Sequence, residues 1–139
     1  MFKLIKILNS GSNLAEPVRL PIDRTYRYTV GAVATLEGGR LIPARATEIP
    51  THLIGESPED RSSDKIIAYE ITSRMIFEVP IASDPARERI GRRLRIDDKL
   101  GTSDAVASGI GGRAMIIDMN GARRAGDTVY VLFPERKES

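Results

Sequence analysis

His52 is the only histidine in the 139-residue chain, and with Thr51 beside it this is the nearest approach to a base next to a hydroxyl. Nucleophilic catalysis needs that base aimed at the hydroxyl by a third group, and a lone imidazole cannot build a two-histidine metal site. The pair reads instead as a strand histidine with a hydrogen-bonded ring. There is no cysteine, which removes disulfides, thiolate metal sites and thiol nucleophiles together. The acids Asp97, Asp98 and Asp104, with Asp84 and Glu88 upstream, could meet in space. Acid–base work requires one of them to be desolvated so that its pKa separates from its neighbour's. Each stands beside Arg, Lys, Gly or Ser, the company of solvated turns. Gly109-Ile110-Gly111-Gly112-Arg113-Ala114 matches the permissive dinucleotide pattern G-x-G-x-x-A. That chemistry needs a helix N-terminus after the glycines, whereas Met115-Ile116-Ile117 is β-like. The glycines therefore read as a loop that allows tight turns or close packing with another chain.

One cluster of charge remains. Arg87, Arg89, Arg92, Arg93 and Arg95 place five guanidiniums in nine residues, diluted by Glu88. They could neutralise phosphates, grip a carboxylate-lined surface, or simply form a solvated face balanced by Asp97 and Asp98. Arg93 and Arg95 alternate with Leu94 and so share one strand face. No aromatic residue interleaves them, which counts against single-stranded nucleic acid.

The elements that must position these residues are short β segments. Gly126-Asp127 feeds the alternation Thr128-Val129-Tyr130-Val131-Leu132-Phe133, apolar on both faces and therefore a strand covered on both sides. Strands are expected at 28–33, 41–44, 49–55, 66–71, 75–81, 93–97 and 115–118. In 75–81, Met75, Phe77, Val79 and Ile81 share one face. Glu37-Gly38-Gly39-Arg40 reads as a turn, residues 56–64 as a solvated loop, and 101–112 as a small-residue loop or weak hairpin. Ser83-Asp84-Pro85-Ala86 is the one good helix start, an acid cap followed by proline, and Gly91 limits that helix to about two turns. Residues 2–8 read as a strand or extended arm ended by the polar run 9–13. Pro17 and Pro21 bracket Val18-Arg19-Leu20, an extended stretch fit for a sheet edge or a neighbouring subunit.

Composition agrees with one folded domain. Hydrophobic residues make up 41% and charged residues 29%, the net charge is +2, and there is no tryptophan. So small an excess of base does not imply nucleic acid. No apolar run approaches the roughly 20 residues of a membrane span, and no signal peptide is expected at Met1–Leu8. The fold class expected is all-β: a small single-domain β-barrel or sandwich with one short helix and an extended N-terminal arm. Its divisions are 1–25 for the N-terminal strand and arm, 26–134 for the barrel, and 135–139 for a polar tail.

The order of the motifs from Tyr28 to Phe133 resembles the head decoration (auxiliary capsid) proteins of tailed bacteriophages and prophages. The residues that carry the resemblance are Gly31-Ala32-Val33, Gly39-Arg40-Leu41 with Ala46-Thr47, and Pro50-Thr51-His52-Leu53. Phe77-Glu78-Val79-Pro80, Gly112-Arg113-Ala114 and Gly126-Asp127-Thr128-Val129-Tyr130-Val131 complete the series. It covers about three quarters of the chain, and its specificity lies in the order. Two features depart from the family: Ser83 to Arg92 replaces a short Gly-Asp-Lys connection, and about 25 residues precede the resemblance.

The resemblance implies a structural virion protein on the capsid surface, made in the host bacterial cytoplasm. Its partner would be the major capsid protein, with a homo-oligomer, a trimer, or lattice-dependent assembly. No catalytic, metal or cofactor-binding residue is assigned, no enzyme is expected, and neither membrane nor nucleic acid is an expected partner. The expected capsid or subunit contacts are Phe2, Leu4, Val18 and Leu20 in the arm, with Arg87, Arg89, Arg92, Arg93 and Arg95 in the insertion. The alternative is a nucleic-acid-binding β-barrel that uses the same arginines.

Overall fold

A computed structural model of the chain describes residues 1–8, 15–58, 64–99 and 102–134. The polar run 9–13, the centre of the 56–64 loop and the 135–139 tail lie outside the described residues. The fold is all-β, built on two antiparallel sheets. In chain order the strands are β1 (Lys3–Ile7), β2 (Pro17–Pro21), β3 (Val33–Glu37), β4 (Arg40–Pro43), β5 (His52–Ile54) and β6 (Lys65–Glu70). They continue with β7 (Met75–Pro80), β8 (Arg93–Asp97), β9 (Ala105–Ala107), β10 (Ala114–Asp118) and β11 (Thr128–Leu132). One sheet has the order β1-β7-β11-β10-β8-β9 and the other β2-β6-β5-β3-β4.

A closed barrel is not shown. Isolated parallel bridges, Ile22 with Leu41 and Ile81 with Val106, tie each sheet at one point without a continuous ladder among the described residues. There are two core clusters, and the larger also takes in Val33 and Ala44 from the five-stranded side. Beneath the six-stranded sheet, the inward faces of β7 (Phe77, Val79), β8 (Leu94, Ile96), β10 (Ile116) and β11 (Val129, Val131) are buried. Within the five-stranded sheet, Ile22, Tyr28, Leu41, Ile54 and Ile66 form a second cluster. Burial of each such side chain contributes about 1.5–3 kcal/mol, which makes these alternations the principal stabilising feature.

Of the two readings for residues 2–8, strand or extended arm, the structure shows the strand. β1 pairs with β7, Leu4 opposite Phe77, and the Phe2 amide donates to Gly31 O at 2.6 Å. Phe2 is only 1% exposed, with its ring centroid 6.0 Å from that of Phe77 and 5.9 Å from that of Phe133. The chain has three phenylalanines, and all three meet here. With so few large aromatic rings available, the core draws on one from the first turn of chain. β2 likewise pairs along its length with β6, as an edge strand that its two prolines permit. β1 thus joins the six-stranded sheet and β2 the five-stranded one.

Three further expectations shift. Tyr28–Ala32 is not strand: its hydroxyl donates to Leu41 O at 2.5 Å and accepts from the Asp23 amide at 2.9 Å, the chain turns at Val30–Gly31, and β3 begins only at Val33. The 101–112 loop contains β9, whose small side chains hid it; it pairs with β8, Ile96 opposite Val106. The helix is a single 3-10 turn, Pro85–Arg87. The Gly38-Gly39 turn holds as expected, since both residues take positive φ (58° and 81°) and so match the twist of the β3–β4 hairpin.

Candidate docking surface

The arginine loop is built from its cap upward. The Asp84 carboxylate accepts from the Ala86 amide at 3.0 Å, and Pro85 supplies the fixed φ of a helix start. The turn stops at Glu88, which is extended (φ −102°, ψ 157°) and has its side chain buried. Glu88 Oε2 lies 3.3 Å from Arg92 Nε, close enough for an ion pair but not aligned as a hydrogen bond, so that oxygen makes none. Arg92 Nη1 donates to Arg87 O at 3.3 Å, closing the loop across its base. Two backbone bonds then fix it to β10: Gly91 N to Ile116 O at 2.8 Å and Ile116 N to Arg92 O at 2.9 Å.

The result is a protrusion with a defined shape. Arg87, Arg89, Arg92 and Arg93 are exposed, and between them Ile90 stands 67% exposed at the tip. Arg95 differs from the other four. It is half-buried, its side chain crosses the place where a Cβ on Gly109 would lie, and its Nε is buried without a hydrogen-bond partner. Leu94 and Ile96 face inward between the arginines, so the expected alternation along β8 holds.

The expected contacts at the N-terminus separate in the same way. Phe2 is corrected outright: a core residue cannot present itself to a partner. Leu4 and Leu20 are half-buried against the two cores. Val18 is exposed at 41%.

The residues with chemical potential take structural roles. The Thr51 hydroxyl accepts from Leu36 N at 2.8 Å and lies 2.8 Å from His52 Nδ1 but 3.5 Å from Ala34 O. Either the hydroxyl donates to Nδ1, or a protonated Nδ1 donates to the hydroxyl while that turns to Ala34 O; both arrangements hold the ring in place. Burial pushes the His52 pKa below its ordinary value, which favours the neutral ring. Asp97 caps the Lys99 amide and Asp98 accepts from the Ala46 amide at 3.0 Å, so these acids hold turns. Among the described residues no group of three or more His, Cys, Asp or Glu comes together as a metal site. After the G-x-G-x-x-A glycines the chain enters β10 and not a helix, and Gly112 packs against the Leu94 backbone so closely that a Cβ has no room.

No protein-family model, curated protein or solved structure matches this chain. The surface must be read from its own geometry. Sequence reasoning found the arginines but missed Ile90 at their centre and Ile110, which is 94% exposed. The signal was present: each is an apolar residue outside any strand alternation, next to glycine. No helix among the described residues is long and apolar enough to cross a membrane.

Proposed function

We propose that this protein is a structural component of a phage-like particle, a decoration protein that docks on the outer surface of the capsid shell. The observation that carries the reading is the fixed loop that holds Ile90 outward among four exposed arginines. An apolar anchor ringed by charge is the pattern of a protein–protein contact, where the anchor supplies affinity and the rim supplies orientation. Arginine suits a carboxylate-lined shell because its planar fork can bind both oxygens. The apolar tip favours a protein surface over nucleic acid, since a phosphate backbone offers charge but no apolar pocket. The order of β motifs adds support. The isolated Ile22–Leu41 bridge, between the two outer strands of the five-stranded sheet, supports a barrel-like curl of that sheet. Assembly as a homo-oligomer, a trimer at a local threefold, would repeat this contact on the lattice and multiply weak binding into tight attachment.

The test is co-sedimentation with expanded, emptied heads of the particle encoded alongside the protein. Saturable pelleting is expected, weakened at least about tenfold by Ile90→Asp. Absence of pelleting, or pelleting unchanged by Ile90→Asp, would remove the reading.

A further inference from the structure

A second concave surface lies on the five-stranded sheet, away from the arginine loop in sequence. Two hollows of about 450 and 420 Å³ share Ile22 and Arg24 as a common wall. That volume is of the size that holds a small ligand or a few residues of peptide. The first hollow has an apolar side at Ile22 and Pro58, and Tyr26 stands over it 42% exposed. Tyr28 is buried at its base with the hydroxyl already committed to Leu41 O and the Asp23 amide, so it shapes the site without being available to a ligand.

Three guanidiniums border the two hollows, and they are not equivalent. Arg24 Nε donates to Asp64 Oδ1 at 3.2 Å. Arg27 on the first hollow and Arg40 on the second are exposed and make no ion pair among the described residues. Asp23 is held ionised: hydrogen bonds from the Thr25 amide and hydroxyl, and more weakly Arg40, keep its carboxyl below the usual range. Three cations against the carboxylates of Asp23 and Asp64 leave one net positive charge across the pair of hollows.

We infer that this cleft binds an acidic peptide segment carrying apolar side chains, one carboxylate on Arg27 and an apolar group between Tyr26, Ile22 and Pro58. The charge balance selects this class. A nucleic-acid strand brings a phosphate at every nucleotide, and a run of them would meet Asp23 and Asp64 as well as the arginines. A peptide can place one carboxylate and then turn apolar. The site stands independently of the capsid reading, because it shares no residue with the 85–93 loop.

The experiment is an amide NMR titration of the full chain with a blocked pentapeptide that holds one glutamate among leucines and alanines. Its glutamine counterpart and an eight-nucleotide oligothymidylate serve as comparisons. The expected result is perturbation of signals from residues 22–28, 40 and 57 by the glutamate peptide, with dissociation constants near millimolar order. Binding should fall at least about fivefold for the glutamine peptide and for Arg27→Gln, a surface change that leaves the remaining spectrum in place. Arg89→Gln should bind the peptide as the wild type does. The inference is overturned if the glutamate peptide perturbs none of these signals, if the glutamine peptide binds equally, or if oligothymidylate binds there in its place.

Discussion

Replacing Phe2 by alanine deletes a ring that is almost fully buried against two others, at centroid distances of 6.0 and 5.9 Å. Core Phe→Ala changes cost about 3–5 kcal/mol, and the figure is larger where the surroundings cannot collapse. Here they are stiff. Phe77 lies on β7, flanked by β1 and β11, and Phe133 follows β11, flanked by β7 and β10. Unfolding entropy of about 2.1 cal/mol/K per residue gives roughly 0.3 kcal/mol/K for 139 residues. The expected loss therefore lowers Tm by about 10–17 °C. Calorimetry of wild type and Phe2→Ala measures this, with Val18→Ser as a surface comparison expected within about 0.5 kcal/mol of wild type. Hydrogen exchange adds a second readout, since the β1 amides paired to β7 should lose protection along with the ring. A Tm change under about 3 °C would refute the reasoning, because the first strand would then be an arm that the core does not need.

Gly112→Ala should destabilise strongly, by about 1–3 kcal/mol or more, because the new methyl meets the Leu94 backbone and not a movable side chain; chemical denaturation checks it. Tyr28→Phe should cost about 1–3 kcal/mol, since it leaves Leu41 O and the Asp23 amide without their shared partner; a urea midpoint shift at constant m-value would show it. His52 adds a pH dependence. Its folded pKa lies below the ordinary 6.5, so the unfolded chain takes up the proton first as pH falls. Stability should therefore be insensitive to this group above about pH 6.5 and decline below it until the folded pKa is passed. Thermal unfolding of wild type and His52→Gln from pH 8 to 5 tests this: the decline should be smaller in the variant.

Period-two patterning was enough to locate β7 and β11, because their inward residues Phe77, Val79, Val129 and Val131 alternate without interruption and are all fully buried. Where tertiary contacts outweighed pattern, the sequence misled. Tyr28 and Ala32 are core residues without being strand, since a side-chain hydrogen bond to a distant carbonyl holds that segment in place. β9 carries only Ala105-Val106-Ala107, too short and too small to register, yet Val106 is buried by pairing with β8. The helix ended early, at an extended Glu88 whose side chain is buried, a placement that cap and glycine signals do not encode. At the candidate surface, residue type alone grouped five arginines. Their separation into four exposed and one laid over Gly109 depends on the β9–β10 loop folding back on β8. Phe2 was misplaced for a related reason: nothing local distinguishes an aromatic on an arm from one threaded into the core.

The claim that this chain works as a capsid-surface protein through its arginine loop is tested most directly by electron cryomicroscopy. Emptied heads of the particle encoded with it would be imaged with and without the purified protein. The account predicts ordered density on the outer face of the shell, with residues 85–93 against it and Ile90 seated in an apolar recess rimmed by carboxylates. No ordered density at saturating protein, or density in which that loop points to solvent, would contradict it.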